Sequence, residues 1–177
     1  VAQRFDLGRK WAVVIGVNDY LDQDIPDLRC CVADAKLVGK TLAERCGYPA
    51  ENILLVTDDQ PKSHLRPLRA ALQQQVAAWL RFAEQRDTVL VFFSGHGFLD
   101  SQGQGFLATI DTQKDHLGLT ALRTDELRDM LRQCKARQKL LVLDCCHAGG
   151  ERDIDQTGPS REELGTAFRD AAGLITL

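Results

Sequence analysis

The sequence predicts an α/β fold in which helices cover both faces of a mostly parallel sheet. Short apolar runs rich in β-branched residues alternate along the chain with segments of helical period. The runs cover residues 10–17, 53–57, 88–93 and 139–143. Each run is apolar on both faces, which is typical of strands buried between helices in a parallel sheet. Right-handed crossovers between such strands leave few possible topologies.

The segments between these runs have the period of amphipathic helices. They cover residues 31–45, 68–83 and 122–134. The second places its apolar residues on one stripe, and in the third the position of Thr124 ahead of the apolar residues predicts a capped helix start. Residues 103–110 are predicted to form a hairpin or an irregular excursion from the sheet.

The last part of the chain has a different character. Residues 149–171 are polar, and residues 173–177 have the composition of a strand that has only begun. Because a domain does not normally stop inside a strand, we expect the chain to be a fragment or a cleaved subunit. The polar stretch would then be an exposed linker, which is where proteolytic nicking concentrates.

Composition and charge are those of one soluble globular domain. The chain has 177 residues, 27% of them charged, and a formal net charge of −3. Basic residues are scattered among acidic ones, so nucleic acid is not an expected partner. No apolar run approaches the roughly 20 residues of a membrane helix, and no segment resembles a signal peptide. We therefore expect no membrane contact and a cytoplasmic location.

The cysteines indicate reduced thiols rather than a disulfide framework. They are Cys30, Cys31, Cys46, Cys134, Cys145 and Cys146. Two adjacent pairs suit disulfides poorly, and no C-x-x-C spacing is present for a zinc ribbon. Several of these cysteines are expected to be small buried apolar residues.

Two reactive groups follow the third and fourth predicted strands. Ser94-Gly-His-Gly97 and Asp144-Cys-Cys-His147 are predicted to be loops, and ligands of parallel sheets bind at this carboxyl edge. One histidine can deprotonate a thiol nucleophile and later protonate the leaving amine. The amides of Gly97 and of the nucleophile could point at a developing oxyanion. Either motif alone is more often a turn or a packing residue, but the two together favour an enzyme.

These motifs resemble those of a known family. Val91-Phe-Phe-Ser-Gly-His-Gly97 and Leu141-Val-Leu-Asp-Cys-Cys-His-Ala-Gly149 are similar to the paired motifs of the caspase-like peptidases, in the metacaspase and orthocaspase branch. Residues 11–18 and 28–36 also match that branch. The resemblance, which spans residues 10–149, implies a caspase-like three-layer sandwich.

The resemblance also implies a domain organisation. Residues 1–148 would form the catalytic large subunit, and residues 149–172 a linker that is processed. Residues 173–177 would begin a further strand that leads into a small subunit of the same protein. Arg152, Arg161 and Arg169 are the candidate cut sites in the linker, so we expect autoprocessing.

Individual residues receive roles from the same resemblance. The family pattern at the nucleophile is Asp, any residue, Cys, His, a small residue and Gly, which selects Cys146 and leaves Cys145 as the variable position. Alternation along an extended strand agrees, since residues 144 and 146 face one side and residue 145 the other. His96 is implied as the base. His147 is the rival base, but it would have to fold back on the strand end.

The expected substrates are proteins or peptides cut after a basic residue. By resemblance to metacaspases, Asp34 and Asp144 form the floor of the primary pocket and receive Arg, then Lys. Two carboxylates pair well with a guanidinium and would repel an acidic side chain. The simpler alternative is that Asp34 caps its helix and that Asp144 is a solvated strand end.

No cofactor is expected. Family members that calcium activates usually carry a dense acidic cluster after the histidine motif, whereas residues 98–105 hold one acid. A metal site built from Cys145, Cys146 and His147 would strain a tetrahedral shell, because the ligands are adjacent. Two alternatives stay open: a separase-like protease with another specificity, and a non-catalytic flavodoxin-like module. Against the module, no G-x-G-x-x-G motif or P-loop follows the first strand.

Overall fold

A computed structural model of the chain describes residues 8–147 and 174–176, with side chains from residue 8 to residue 145. It contains a seven-stranded sheet. The strands are β1 (Lys10–Gly16), β2 (Ile53–Thr57), β3 (Thr88–Leu99), β4 (Gly105–Leu107), β5 (Leu122–Arg123), β6 (Gln138–His147) and β7 (Leu174–Thr176). The α-helices are α1 (Cys31–Arg45), α2 (Arg69–Leu80), α3 (Leu117–Thr120) and α4 (Thr124–Gln133). Short 3₁₀ helices cover Ala50–Asn52, Ser63–Leu65 and Lys114–His116.

The sheet is mostly parallel, as predicted. β2, β1, β3, β6 and β7 pair in that order, each parallel to the next. The end of β3 pairs antiparallel with β4, and β4 pairs antiparallel with β5. The segment predicted as a hairpin or an excursion is therefore a short hairpin that continues the sheet beyond β3.

The prediction that the histidine and cysteine motifs lie in loops is wrong. β3 continues through His96 to Leu99, and β6 continues through Cys146 to His147. Glycine-rich sequence suggests a turn locally, but the two motifs pair with each other along the ladder, up to Gly97 beside His147. Both strands therefore extend past the point at which their apolar runs end.

Helices cover both faces of the sheet, and the sheet divides the core into two layers. Val13 and Ile15 on β1 face α2 and α4, where they pack with a large cluster that includes Leu72 and Leu127. The alternate residues of β1 face α1. Two-residue periodicity along a strand that is buried on both sides explains the unbroken apolar runs. No helix among the described residues is both long and apolar enough to cross a membrane.

The start of the third predicted helix, at residue 122, is the least accurate of the three. α4 begins at Thr124, and the two residues before it form β5. No side chain caps this helix; the hydroxyl of Thr124 instead lies 3.4 Å from the amide nitrogen of Gln104, which donates to it. The expected Thr124 cap is therefore wrong, because the hydroxyl is used in a contact with the β3–β4 turn.

A glycine brings the start of α1 close to the carboxyl edge of the sheet. A Cβ at Gly16 would lie 2.5 Å from the carbonyl oxygen of Cys31 and 2.8 Å from Cβ of Ala35. A side chain at this position would push the helix away from the strand. The close approach places the first turn of α1 above the end of β1.

Candidate active site

The histidine and cysteine motifs lie next to each other across two neighbouring strands. His96 on β3 is the register partner of Cys146 on β6, and the next pair is Gly97 with His147. Register partners sit side by side at the strand spacing, roughly 5 Å. The fold therefore brings together the backbone positions of the predicted base and the predicted nucleophile.

His96 is buried and is held at several points. Its Nε2 lies 2.8 Å from the carbonyl oxygen of Pro26, and the side chain is 2% exposed. Its backbone N–H donates to the hydroxyl of Tyr20 at 3.0 Å, and its carbonyl accepts from the N–H of Ala108 at 2.9 Å. Both the ring and the backbone of His96 are therefore fixed by the rest of the fold.

The contact with Pro26 defines the tautomer of the histidine. A carbonyl oxygen can only accept a hydrogen bond, so Nε2 of His96 must carry a hydrogen. In the neutral ring, Nδ1 then carries the lone pair and is the nitrogen that can take a proton. When the ring is protonated, the Pro26 carbonyl also stabilises its positive charge.

Tyr20 supports the histidine from the loop that follows β1. Its ring centroid lies 5.1 Å from that of His96, and its hydroxyl donates to the carbonyl of Val17 at 3.2 Å. Burial raises the pKa of the Tyr20 phenol far above its usual range, against the opposing effect of the bond from the His96 amide. The hydroxyl therefore stays protonated at neutral pH and keeps its hydrogen bonds to both neighbours.

Cys145 lies on the opposite face of the sheet from the acids of the site. It is half-buried and packs against the core beneath α2 and α4. A Cβ at Gly97 would lie 3.3 Å from Cβ of Cys145, so the two residues face the same side. Asp144, one position earlier, is exposed. Cys145 therefore packs in the core layer on the α2 and α4 side of the sheet.

A row of residues across the carboxyl edge of the sheet lies beneath the start of α1. Gly16, Ser94 and Asp144 are successive register partners on β1, β3 and β6. The hydroxyl of Ser94 is fully buried and has no hydrogen-bond partner among the described residues. A buried hydroxyl without a partner is costly, and this one lies beside Asp144 in the row.

Asp34 lies in the first turn of α1, which packs over Gly16 at one end of this row. It is half-buried, and the N-cap of the helix is Cys30, so Asp34 does not cap α1. Asp34 and Asp144 therefore lie at the same edge of the sheet. Asp144 belongs to β6, and Asp34 lies on α1, which packs over the sheet.

Gly97 is part of the sheet rather than of a free turn. It is buried between its partners His147 on β6 and Leu107 on β4. Its predicted role, with the amide of Cys146, is to donate to the oxyanion. That role stays a prediction.

Some predicted features lie outside the described residues. They are the linker at 149–172, the candidate cut sites Arg152, Arg161 and Arg169, and the side chains of Cys146 and His147. Within residues 8–145, no group of three or more His, Cys, Asp or Glu side chains could hold a metal ion.

The sequence did not reveal Tyr20, Pro26 and Ser94 as site residues. Tyr20 and Pro26 are separated from His96 by 76 and 70 positions along the chain. Local sequence patterns do not predict contacts over such separations. Ser94 lies within the histidine motif, but its role depends on its burial and on its neighbour Asp144 on another strand.

With the fold and the site defined, comparison with known proteins identifies the family. Residues 10–155 match the family model described as the metacaspase, peptidase C14 domain. The chain belongs to this family of caspase-like cysteine peptidases. The match favours the metacaspase branch over the separase-like alternative.

Individual relatives agree with this assignment. Metacaspase-1B of Aspergillus terreus is 29% identical over 153 residues, which cover 83% of this chain and 40% of the relative. Metacaspase-1 of Candida glabrata is 28% identical over 156 residues, covering 85% of this chain and 39% of the relative. The chain therefore spans about two fifths of the length of the curated relatives it matches.

Solved structures show the same fold. The protein GSU0716 from Geobacter sulfurreducens superposes with a TM-score of 0.61 at 20% identity, covering 80% of this chain and 52% of that one. The structure of pro-sf-caspase-1 superposes with a TM-score of 0.56 at 14% identity, covering 89% and 60%. The predicted caspase-like α/β fold is confirmed.

Proposed function

We propose that this chain is the catalytic part of a cysteine endopeptidase in which Cys146 is the nucleophile and His96 is the acid and base. The observation that carries the proposal is the register of β3 and β6, which sets Cys146 directly beside His96. Membership of the metacaspase family supports the same chemistry. Asp144 itself is exposed, which gives a peptide access to this edge.

In the first half of the reaction, Nδ1 of His96 takes the thiol proton of Cys146 and the thiolate attacks the scissile carbonyl. The carbon–sulfur bond forms as the carbonyl π electrons move to oxygen, where the amides of Gly97 and Cys146 stabilise the charge. The imidazolium then gives its proton to the leaving amine as the carbon–nitrogen bond breaks. Pro26 keeps the ring in the required tautomer throughout, because its carbonyl holds Nε2–H.

In the second half, water completes the hydrolysis. Nδ1 of His96 removes a proton from a water molecule, which attacks the thioester carbonyl, and the carbon–sulfur bond breaks to release the acid. The proton returns to the Cys146 sulfur. No group other than the histidine, the cysteine and backbone amides is needed.

The primary pocket receives a basic side chain in this proposal. Asp34 and Asp144 supply negative charge at the carboxyl edge, and neither is paired with a cation in the described part of the chain. The unpaired hydroxyl of Ser94, beside Asp144, offers a further acceptor. A planar guanidinium can engage several acceptors at once, so Arg should be preferred over Lys.

A substrate panel tests the specificity. Fluorogenic peptides that differ only in the residue before the cut (Arg, Lys, Ala or Asp) are assayed with the full-length protein. We expect cleavage after Arg, then Lys, and none after Asp. Asp144→Ala should lower kcat/KM for Arg by about tenfold or more, whereas Asp129→Ala, which removes the same charge from an exposed site on α4, should change nothing. Efficient cleavage after Asp, or unchanged Arg cleavage in Asp144→Ala, would refute the assignment.

The same basic specificity accounts for autoprocessing. Arg152, Arg161 and Arg169 lie in the polar stretch after the nucleophile, and a cut there separates the large subunit from the small-subunit continuation of the protein. Protein and peptide substrates are the partners we propose, with no nucleic acid or membrane.

We also propose that the activity needs no calcium. Arg123 donates to the carboxylate of Asp125 and to the side-chain oxygen of Gln104, at 2.5 and 3.3 Å. The Asp125 carboxylate beside the β3–β4 turn is therefore already paired with a guanidinium, and residues 98–105 hold only one acid. Dialysis against a calcium chelator should leave Arg cleavage unchanged, and a loss that calcium restores would contradict this point.

A further inference from the structure

The carboxyl end of β2 carries a buried acid for which the reaction has no use. Asp58 follows the last residue of β2 and is 6% exposed. We propose that Asp58 is a positioning residue, which fixes the loop on which both supports of His96 lie. The inference rests on the proposed peptidase function and names a residue on which that function depends.

Asp58 holds the first residues after β1. Its Oδ2 accepts hydrogen bonds from the backbone N–H of Asn18 at 2.5 Å and from that of Asp19 at 3.0 Å. Its Oδ1 is buried and has no partner among the described residues. The carboxyl group therefore serves this one turn of backbone.

Asn18 ties the two ends of the loop together. Its carbonyl accepts from the N–H of Leu28 at 2.8 Å, and its side-chain oxygen accepts from the N–H of Val32 in the first turn of α1 at 3.4 Å. Asp58, which directly follows β2, accepts a hydrogen bond from the N–H of Asn18 and so anchors the whole segment 18–28. We call this segment the histidine-support loop.

The histidine-support loop carries the two groups that fix His96. The hydroxyl of Tyr20 accepts a hydrogen bond from the backbone N–H of His96, and the carbonyl of Pro26 accepts one from Nε2 of the ring. If Asp58 is lost, two backbone N–H groups lose their acceptor, and the loop must shift to satisfy them. A displaced Pro26 carbonyl would free the ring to rotate and to change tautomer. A misplacement of about 1 Å can cost a large factor in rate.

The positioning role needs an acceptor oxygen rather than a negative charge. Burial raises the pKa of Asp58, and the negative charge of Asp19 acts in the same direction, while the two amide bonds and Arg66 act against them. A proton on Oδ1 leaves Oδ2 as an acceptor for both N–H groups. Asn offers the same acceptor oxygen at nearly the same place, so Asp58→Asn should preserve the position of the loop and Asp58→Ala should not.

The next residue supplies a matched control. Asp59 is an exposed acid that pairs with Lys36 of α1 and accepts from the hydroxyl of Thr57 at 2.8 Å. It is an acid at the same strand end, but within the described part of the chain it makes no hydrogen bond to the histidine-support loop.

Two measurements on the full-length protein test the proposal. The first is the steady-state kinetics of Asp58→Ala, Asp58→Asn and Asp59→Ala with an Arg substrate. We expect Asp58→Ala to lower kcat by about tenfold with KM changed by less than about twofold, since it disturbs a group used in the chemical step. Asp58→Asn should retain at least about a third of wild-type kcat, and Asp59→Ala should resemble the wild type.

The second measurement does not require activity. The ring Nε2–H proton of His96, protected by its bond to Pro26, is followed by NMR. It should exchange faster in Asp58→Ala and stay protected in Asp58→Asn and Asp59→Ala. If the ring proton follows this pattern across the variants but the wild type cleaves nothing, the proposed function is refuted and the positioning role stays intact.

Two outcomes would overturn the positioning role. One is wild-type kcat and a protected ring proton in Asp58→Ala, and the other is equal damage in Asp58→Ala and Asp58→Asn. If Asp58→Ala does not fold, Asp58→Glu replaces it, because the longer side chain keeps an acceptor but displaces it by one methylene. We expect Asp58→Glu to lower kcat at least about threefold, and wild-type kcat with a protected ring proton in that variant would equally overturn the proposal.

Discussion

The carbonyl oxygen of Pro26 lies 2.8 Å from Nε2 of His96, although 70 positions of sequence separate the two residues. The contact fixes the ring nitrogen that carries hydrogen and leaves Nδ1 to act as the base. The loop that provides Pro26 also provides Tyr20, whose hydroxyl holds the backbone of the same histidine.

The first prediction concerns Tyr20. Tyr20→Phe keeps the ring but removes the hydroxyl, so the buried N–H of His96 and the carbonyl of Val17 lose a partner. We expect the free energy of unfolding to fall by about 1–3 kcal/mol and kcat to fall severalfold at constant KM. Chemical denaturation and steady-state kinetics measure both.

Tyr48→Phe is the control for this change. Tyr48 is the other tyrosine of the chain. It is buried beside α1, and its ring faces the amine of Lys10. Its hydroxyl does not reach His96, so kcat should stay at the wild-type value. Equal kcat values in Tyr20→Phe and wild type would remove Tyr20 from the account.

The second prediction separates the two adjacent cysteines. Cys146→Ala should abolish turnover, because the proposed nucleophile is lost. Cys145→Ala should keep most of the turnover and lower the free energy of unfolding by about 1 kcal/mol, since Cys145 packs against the core. Turnover with an Arg substrate decides between them, and the reverse result would assign the chemistry to Cys145.

The third prediction is a pH dependence of stability at the end of β2. Burial raises the pKa of Asp58, so the folded chain keeps this proton over a range in which the unfolded chain has released it. Stability from this group is therefore fully present below the unfolded pKa of about 3.9 and is lost as pH rises through the folded pKa. Asp58→Asn should gain stability relative to the wild type as pH rises from about 4 to 7.

Asp59 should show the opposite sign. The bond from Lys36, followed by that from Thr57, lowers the pKa of Asp59, so its contribution is present above the unfolded pKa and is lost as pH falls. Asp59→Asn should therefore be less stable than the wild type at neutral pH, with the difference shrinking toward acid. Urea unfolding at several pH values measures both curves, and parallel curves for the two variants would contradict the argument.

The fourth prediction concerns processing. Incubation of the full-length protein should yield a large fragment that ends within residues 149–171, after Arg152, Arg161 or Arg169. Cys146→Ala should stay intact under the same conditions. Mass spectrometry of the fragments identifies the cut, and a wild type that is fully active while intact would remove autoprocessing from the account.

Local sequence patterns correctly predicted the helices and strands whose ends are defined by nearby residues. The predicted helix at 31–45 and the predicted strand at 53–57 agree with α1 and β2 at both ends, because periodicity and turn residues define them. The continuation of β3 through His96 was not predicted, since a glycine-rich motif looks like a turn until its partner strand is known.

The supports of the site could not be predicted for a different reason. Pro26, Tyr20 and Asp58 act on His96 through backbone groups brought close by the topology, and a backbone carbonyl or N–H leaves no mark on the sequence. Ser94 was visible within its motif, but only its burial and its unpaired hydroxyl suggest a role. Residue type indicated the reactive pair, and tertiary structure alone indicated what holds it.

Covalent labelling tests the central claim most directly. The full-length protein is treated with a peptidyl chloromethyl ketone that ends in Arg, and the modified residue is located by mass spectrometry. We expect one label, on Cys146, that forms much more slowly in His96→Ala and is blocked by an Arg substrate. A label on Cys145, or labelling of Cys146 that is equally fast in His96→Ala, would contradict a Cys146–His96 pair.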